Sequence, residues 1–375
     1  MSVDGSKQIR SEVTKEGKLL ISIQSTEVPE PKEDEVLIRI EASPINPSDL
    51  GLLIGPADVS SLSVSGEGEN AIVSMDIPEG LLRMLQARID QSLPVGNEGG
   101  GIIVAAGNQV SEDLIGKTVG VAGGSMYSQY RCLKASACFV MHEGTSPAES
   151  ASCFVNPLTA LGMVETMRME NHSGLVHTAA ASNLGQMLIK ICLNEDVPLV
   201  NIVRRAEHVE MLNSLGAEFV CNSSSSSFME DLIKALIETG ATIGFDATGG
   251  GKLSGQILTA MEVAANQTAT EFNRYGSDKF KQVYIYGGLD RSPTTLNRSF
   301  GFSWSLGGWL LTPFIVRVGP ERFEELKQKV VDEIKTTFAS HYTKEISLAE
   351  VLMPENINVY SKQATNEKYL INPNK

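Results

Sequence analysis

Cysteine is scarce: five residues in a chain of 375, an odd number scattered without pattern. That excludes a disulfide framework and predicts free thiols in a reducing compartment, with the cytoplasm as the expected location. Basic residues are outnumbered, 31 against 45 acidic, for a formal net charge of −14. A surplus of that sign argues against nucleic-acid and anionic-membrane partners. No apolar run is long enough to span a bilayer, and the opening MSVDGSKQIR lacks a signal-peptide core. What remains is 42% apolar and 20% charged, an ordinary soluble composition, and the length predicts two domains with sizeable cores.

The first part of the chain is expected to be β-rich. Lys18 to Ser25 and Glu35 to Ala42 alternate as strands, the second placing Val36, Ile38 and Ile40 on one face. A turn and helix start follow at Ser43 to Leu50. The segment Val59 to Ser92 is irregular, rich in Ser, Gly and Glu, with a short helical pattern at Leu81, Leu82, Leu85 and Ile89. It is either a lid that sets substrate size or a surface excursion. Short strands are predicted at Ile102 to Ala106, Lys117 to Ala122 and Ser128 to Leu133.

From Asn156 the character changes to alternating helices and strands, which predicts a doubly wound parallel sheet. Its organising stretch is Gly174 to Arg205, GLVHTAAASNLGQMLIKICLNEDVPLVNIVRR. A short apolar run leads into a turn of small residues, then an amphipathic helix (Leu184, Met187, Leu188, Ile191), then a strand at Leu199 to Val203. This strand–turn–helix–strand unit has the size of a dinucleotide-binding βαβ, whose turn must be small so that backbone N–H groups reach a pyrophosphate. The glycine fingerprint is imperfect, with Ala179, Ser182 and Gly185 in its three places. Where an NAD-binding unit ends its second strand in Asp or Glu, this chain has Arg204 and Arg205. Two guanidiniums suit a 2′-phosphate, so the expected cofactor is NADPH. The serine run Ser223 to Ser227 reads as a loop capping the helix Phe228 to Thr239. Thr248-Gly249 and Tyr286-Gly287-Gly288 end later strands, where ligands of open α/β sheets sit, though glycines there also fit ordinary turns.

Seven short words recur in the order of one known family: Ile45-Asn46-Pro47-Ser48-Asp49, Val95-Gly96-Asn97-Glu98-Gly99, Val155-Asn156-Pro157-Leu158-Thr159-Ala160, Ser182-Asn183-Leu184-Gly185-Gln186, Leu215-Gly216-Ala217-Glu218, Asp246-Ala247-Thr248-Gly249-Gly250 and Tyr286-Gly287-Gly288. On these the chain resembles the medium-chain dehydrogenase/reductase superfamily, in its zinc-independent quinone oxidoreductase and 2-enoyl thioester reductase branch. The resemblance implies a GroES-like β-rich catalytic domain over residues 1–155 with a C-terminal return at 316–375. A Rossmann NADP-binding domain is implied over 156–315. It also implies a homodimer through the cofactor domains.

The residues depart from the family's metal-binding members. Asn97 stands where zinc-dependent relatives carry His, the INPSD word has no cysteine, and Cys132 and Cys138 lack the spacing and partners of a zinc site. No metal is expected, and His172 and His177 read as structural. By resemblance Asn46 lies near the nicotinamide ribose and Thr159 beside the nicotinamide, with Ala180, Ser182, Asn183 and Leu184 on the pyrophosphate. Tyr127 is placed at the mouth of the first domain as a hydrogen-bond donor; Asn46 also fits a turn cap. Phe300, Phe302, Trp304 and Trp309 form either an apolar substrate roof or a core or dimer surface. Ala57 stands where thioester reductases carry a catalytic Tyr. The expected reaction is hydride transfer from NADPH to a quinone or a carbonyl-conjugated C=C bond. Rivals are enoyl-thioester reduction and a non-catalytic NADPH-binding role.

Overall fold

Alternating apolar residues in Ser6–Val13 and Lys18–Thr26 bury Ile9, Val13, Leu19 and Ile21 on one face, and the two segments pair antiparallel over their whole length. The computed structural model describes residues 5–364 and 367–375. Met1–Asp4, part of the stretch read for a leader, and Thr365–Asn366 lie outside the described residues. By packing, the chain divides into two units: one runs to Val155 and resumes at Lys327, the other is Asn156–Leu326. The return thus begins inside the helix Pro320–Asp332 rather than at 316, because that helix carries the chain from one unit to the other.

The first unit is built on two β-sheets. One has five strands in the order Asp58–Ser65, Ile72–Asp76, Lys18–Thr26, Ser6–Val13, Leu93–Pro94. The other has seven strands, centred on Glu35–Pro44 against Glu98–Ala106, and takes in the C-terminal strand Tyr369–Ile371. The expectation of an irregular 59–92 segment is corrected. Its first half is a hairpin that pairs Ile72–Asp76 onto Lys18–Thr26 and so widens the first sheet. Its second half is helical turns whose Leu81, Leu82, Leu85 and Ile89 pack against the core of Ile9, Leu19, Leu53 and Val73. Serine and glycine hid the strands because only Val73 and Met75 of the hairpin's second strand are buried, too few for a visible alternation.

The second unit holds a six-stranded sheet with every pairing parallel. In space the order is Phe219–Asn222, Leu199–Val203, Leu175–His177, Ile243–Asp246, Lys281–Ile285, Trp304–Gly308. In sequence terms that is 3-2-1-4-5-6, a doubly wound sheet whose direction of winding reverses between Leu175–His177 and Ile243–Asp246. The strands are short and buried on both faces, as a sheet covered by helices on each side requires. Phe300, Trp304 and Trp309 are packed into this unit. Phe300 meets Trp304 edge-on at 4.7 Å, and Trp309 packs on Phe245 and Phe314 and donates to the Thr166 hydroxyl at 3.0 Å. Of the four aromatics offered as a roof only Phe302 is exposed, at 85%.

One buried ion pair pins the irregular chain around the last strands. Lys281, fully buried, lies 2.6 Å from the Glu262 carboxylate, which also accepts from the Ser277 backbone and from Asn266. Removing one partner strands the other charge in the interior. Lys281→Met is therefore expected to lower unfolding free energy by about 3–5 kcal/mol, with the double variant Glu262→Gln/Lys281→Met recovering most of it, as read from urea titrations.

Candidate functional site

Asn46 and Asp49 open the helix Pro47–Leu53, and both are buried. Proline in the first turn and an acidic side chain at its third position suit a helix start, where orphan N–H groups need acceptors. The Asp49 carboxylate takes the Asn46 backbone N–H at 2.8 Å and the Asn97 backbone N–H at 2.7 Å. It thereby joins the INPSD word to the GNEG word. Burial dominates its ionisation all the same: loss of water raises the carboxyl to about 7, with nearby Glu98 adding to the rise and the two N–H bonds opposing it.

Glu98, fully buried, is the hub. One carboxylate oxygen accepts from the Asn46 amide at 2.8 Å, and the other accepts the backbone N–H groups of Phe154 and Val155 at 2.8 and 2.9 Å. Burial raises its carboxyl, against the attraction of Lys368 and these hydrogen bonds. Lys368 donates to Ser152 at 2.8 Å, and burial holds its ammonium down to about 8 despite Glu98 and Asp49. Because Glu98 must receive an N–H, the Asn46 side chain is oriented with its oxygen turned away, and that oxygen is buried without a partner. An orphaned acceptor of this kind fits a ligand hydroxyl.

The far end of the same short helix is held by Arg88, a residue the sequence reading did not single out. Its guanidinium donates to the Leu52 carbonyl at 2.6 Å and to the Ser11 hydroxyl at 2.8 Å, while Ser11 donates to the Leu53 carbonyl. A cation on the last carbonyls complements the helix dipole. The 59–92 segment therefore reaches the site as a support under it.

Tyr127 is corrected. It is fully buried, its hydroxyl donates to the Pro44 carbonyl at 3.1 Å, and Gly96, at φ +98°, has no room for a Cβ because the Tyr127 ring occupies the space. The phenol is a core group of the first unit and does not stand at its mouth. Asn97, at the zinc-ligand place, bonds Ser48 through its side chain at 3.0 Å. No group of three or more His, Cys, Asp or Glu that could hold a metal occurs among the described residues.

In the second unit the small-residue turn lies where the winding reverses. Ala179 takes a positive φ of 51°, the conformation a glycine would normally supply, and Ala180 is fully buried. Ser182 is the N-cap of the helix Asn183–Asn194, its hydroxyl oxygen accepting the Gly185 N–H at 3.1 Å. That leaves the hydroxyl proton available to an anion. Gly185 is obligatory: a Cβ there would sit 2.2 Å from the Ala180 carbonyl oxygen. Buried Asp246 sets the turn, accepting the Thr178 hydroxyl at 2.9 Å, the Thr248 N–H at 2.8 Å and the Ser254 hydroxyl at 2.6 Å. Beside it Gly249 and Gly287 approach so closely that a Cβ on Gly287 would lie 2.6 Å from the Ala247 carbonyl. Such bare backbone is a cradle for a flat or charged ligand at the strand ends.

Tyr286 reaches back from its strand to His177, hydroxyl to Nε2 at 2.7 Å, with the rings stacked at 5.8 Å. Burial drops His177 to about 3, so the imidazole is neutral and structural. His172 bonds Thr242 at 2.7 Å. Thr159 is buried in the first turns of Val155–Met169. Arg204 and Arg205 are exposed just past Leu199–Val203, and Arg205 pairs with Glu207 at 3.2 Å. Gly288 is exposed beyond the Tyr286 turn.

The raised Asp49 carboxyl gives a sign that can be checked. A folded value above the unfolded 3.8 means that this group's contribution to stability is full below 3.8 and is lost as pH rises through about 7. A protonated-carboxyl infrared band persisting towards neutral pH, and weakened by the loss of one carboxyl in Asp49→Asn, is the expected result; a band unchanged by that substitution would contradict it.

No family model matches the chain. In sequence it is 24% identical over 289 residues to the mitochondrial enoyl-[acyl-carrier-protein] reductase of Xenopus tropicalis, covering 74% of this chain and 68% of the relative. In structure it superimposes at a TM-score of 0.73 and 24% identity on a protein assigned as an NADPH:quinone reductase in Mesorhizobium loti, over 100% of both chains. It matches the Etr1p complex with NADP and crotonyl-CoA at a TM-score of 0.67 and 17% identity, over 99% of this chain and 100% of the other. The chain therefore has the two-domain fold of the medium-chain dehydrogenase/reductases, and its sequence relatives include enoyl reductases, as the order of its motifs implies.

Proposed function

We propose that the protein is an NADPH-dependent oxidoreductase that reduces a quinone or a carbonyl-conjugated C=C bond without a metal ion. The observation that carries the reading is the winding reversal of the parallel sheet, with a turn that admits no Cβ at Gly185 and two arginines ending the neighbouring strand. Bound there, NADPH would supply a hydride. Backbone N–H groups around Ala180 to Leu184 and the Ser182 hydroxyl would hold the pyrophosphate at the helix N-terminus. Thr248, Gly249, Tyr286, Gly287 and Gly288 would line the nicotinamide half, with Thr159 beside it.

Asn46 would accept a ribose hydroxyl through its orphaned oxygen, in an orientation fixed by Glu98. Zinc independence is supported by the residue types: Asn97, where zinc-dependent relatives carry His, bonds Ser48 through its side chain. A homodimer through the second unit is proposed as well, since Trp304–Gly308 is an edge strand of its sheet.

Enoyl-thioester reduction is the second reading, favoured by the enoyl reductase relatives. Against it stands Ala57, half-buried against the core, which offers no hydroxyl where that branch places its tyrosine. Oxidation of NADPH against a benzoquinone, a phenanthrenequinone, an enone, an enal and crotonyl-CoA separates the readings. Turnover of quinones or enones supports the first, and turnover of the thioester alone supports the second. Silence across the panel with NADPH still bound would leave a binding role.

Replacing Arg204 and Arg205 together by neutral residues is expected to weaken NADPH relative to NADH by about 2–5 kcal/mol, measured as the change in the ratio of their dissociation constants. Equal losses for the two cofactors would show that these arginines do not read a phosphate.

A further inference from the structure

The helix Pro47–Leu53 ends abruptly. The N–H groups of Ile54 and Gly55 both return to the Leu50 carbonyl, at 3.0 and 2.8 Å, and Gly55 takes a positive φ of 50°. Pro56 has no N–H to offer Leu52, and the Ala57 N–H goes to Ile54 at 3.2 Å. The last two carbonyls of the helix are therefore left to side chains from elsewhere. Arg88 donates to Leu52 at 2.6 Å, and Ser11 gives its one hydroxyl proton to Leu53 at 3.1 Å. With that proton committed, the Ser11 oxygen accepts from Arg88 at 2.8 Å.

Both groups are anchored on one strand. Ser11 is fully buried between Ile9 and Val13 on the inward face of Ser6–Val13. Next to Arg88, Ile89 is bridged to Val13, and the Asp90 N–H donates to the Val13 carbonyl at 2.7 Å. Arg88 itself is half-buried, and every oxygen it bonds is neutral. The opposite end of the same helix carries Asn46, with its buried and unpartnered side-chain oxygen. Seven residues of helix separate the two ends by only about 10 Å of stiff, hydrogen-bonded backbone.

We propose that Arg88 is a positioning residue for the nicotinamide half of the cofactor: acting through the helix Pro47–Leu53, it sets where the Asn46 oxygen stands. The inference rests on the NADPH reading. Glu98 and Asp49 hold the first turn of the helix, and Arg88 with Ser11 holds the last, so the direction of the axis is fixed only by both ends together. Without Arg88 the Leu52 carbonyl loses its donor, and the helix end must move or fray to find another. A shift on the order of 1 Å at Asn46 is enough to spoil a hydrogen bond to a ribose hydroxyl. The 59–92 segment thereby takes part in cofactor recognition, by aiming a residue that binds.

The test is calorimetric titration of the whole chain with NADPH and with adenosine 2′,5′-bisphosphate, a ligand that lacks the nicotinamide ribose. Asn46→Ala should weaken NADPH by about fivefold, as the loss of one hydrogen bond does, and leave the bisphosphate unchanged. Arg88→Met should weaken NADPH by a similar factor and also spare the bisphosphate. Arg88→Lys, which keeps a cationic donor for the Leu52 carbonyl, should recover most of that loss. The double variant Asn46→Ala/Arg88→Met should bind NADPH no worse than Asn46→Ala alone, because both residues act on one contact. Ser11→Ala, a smaller change at the same helix end, should show the same selectivity and stands in for Arg88→Met if that variant does not fold. NADPH affinity unchanged in Arg88→Met and Ser11→Ala, or losses that add in the double variant, would overturn the proposal while sparing the cofactor reading. Equal losses for NADPH and the bisphosphate would show a general structural role and would overturn it too. Failure of the unaltered protein to bind NADPH would instead overturn the NADPH reading itself.

Discussion

Glu98 has no access to water, and a carboxylate in that position must be satisfied by the protein. It collects the Asn46 amide, the N–H groups of Phe154 and Val155 and the field of Lys368, which brings residues from four distant parts of the chain to one point. The arrangement around Asn46 depends on this. Were Glu98 replaced by an apolar residue, the amide would lose the partner that decides which of its two ends faces Glu98. Asp49, one turn into the same helix, repeats the device by taking the backbone of Asn46 and of Asn97. Two acids of low ionisation tendency and one depressed amine thus sit within a single buried network, costly to desolvate and therefore specific in geometry.

The second unit solves a similar problem with another acid. Asp246 holds the Thr178 and Ser254 hydroxyls and the Thr248 N–H, so the turn after Leu175–His177 is braced against the strand next to it. This bracing accounts for the tolerance of alanine where a fingerprint glycine is customary. Ala179 adopts a left-handed conformation at some cost, and the surrounding hydrogen bonds hold it there. Only at Gly185 does the close approach of the Ala180 carbonyl leave no alternative to glycine.

Much of the second unit was legible in the residues. Leu199 to Val203 and Phe228 to Thr239 fall where the periodicity places them, because buried parallel strands and amphipathic helices carry strong local patterns. The first unit was harder. The strand Ser6–Val13 carries a weak alternation because Ser11, a polar residue, stands between Ile9 and Val13 on its inward face. The 59–92 hairpin was read as irregular for a related reason, and Arg88 gave no signal at all. A lone arginine in a polar segment is ordinary until the Leu52 carbonyl is found beside it. Tyr127 shows the opposite error: a phenol looks like a donor in the sequence, and its burial behind Gly96 is a fact of packing.

Local chemistry determined the class of this protein. Short-range patterns are written by periodicity and turn residues, so the change from β-rich to alternating α/β, the small-residue turn and the paired arginines all stand in the sequence by itself. Tertiary structure alone decided which polar groups are satisfied and which are left over. That question is settled by contacts between residues far apart in the chain, as between Asn46 and Glu98, His177 and Tyr286, or Val203 and Ser223. No local pattern encodes those pairings, since each depends on the register of strands brought together by the whole fold.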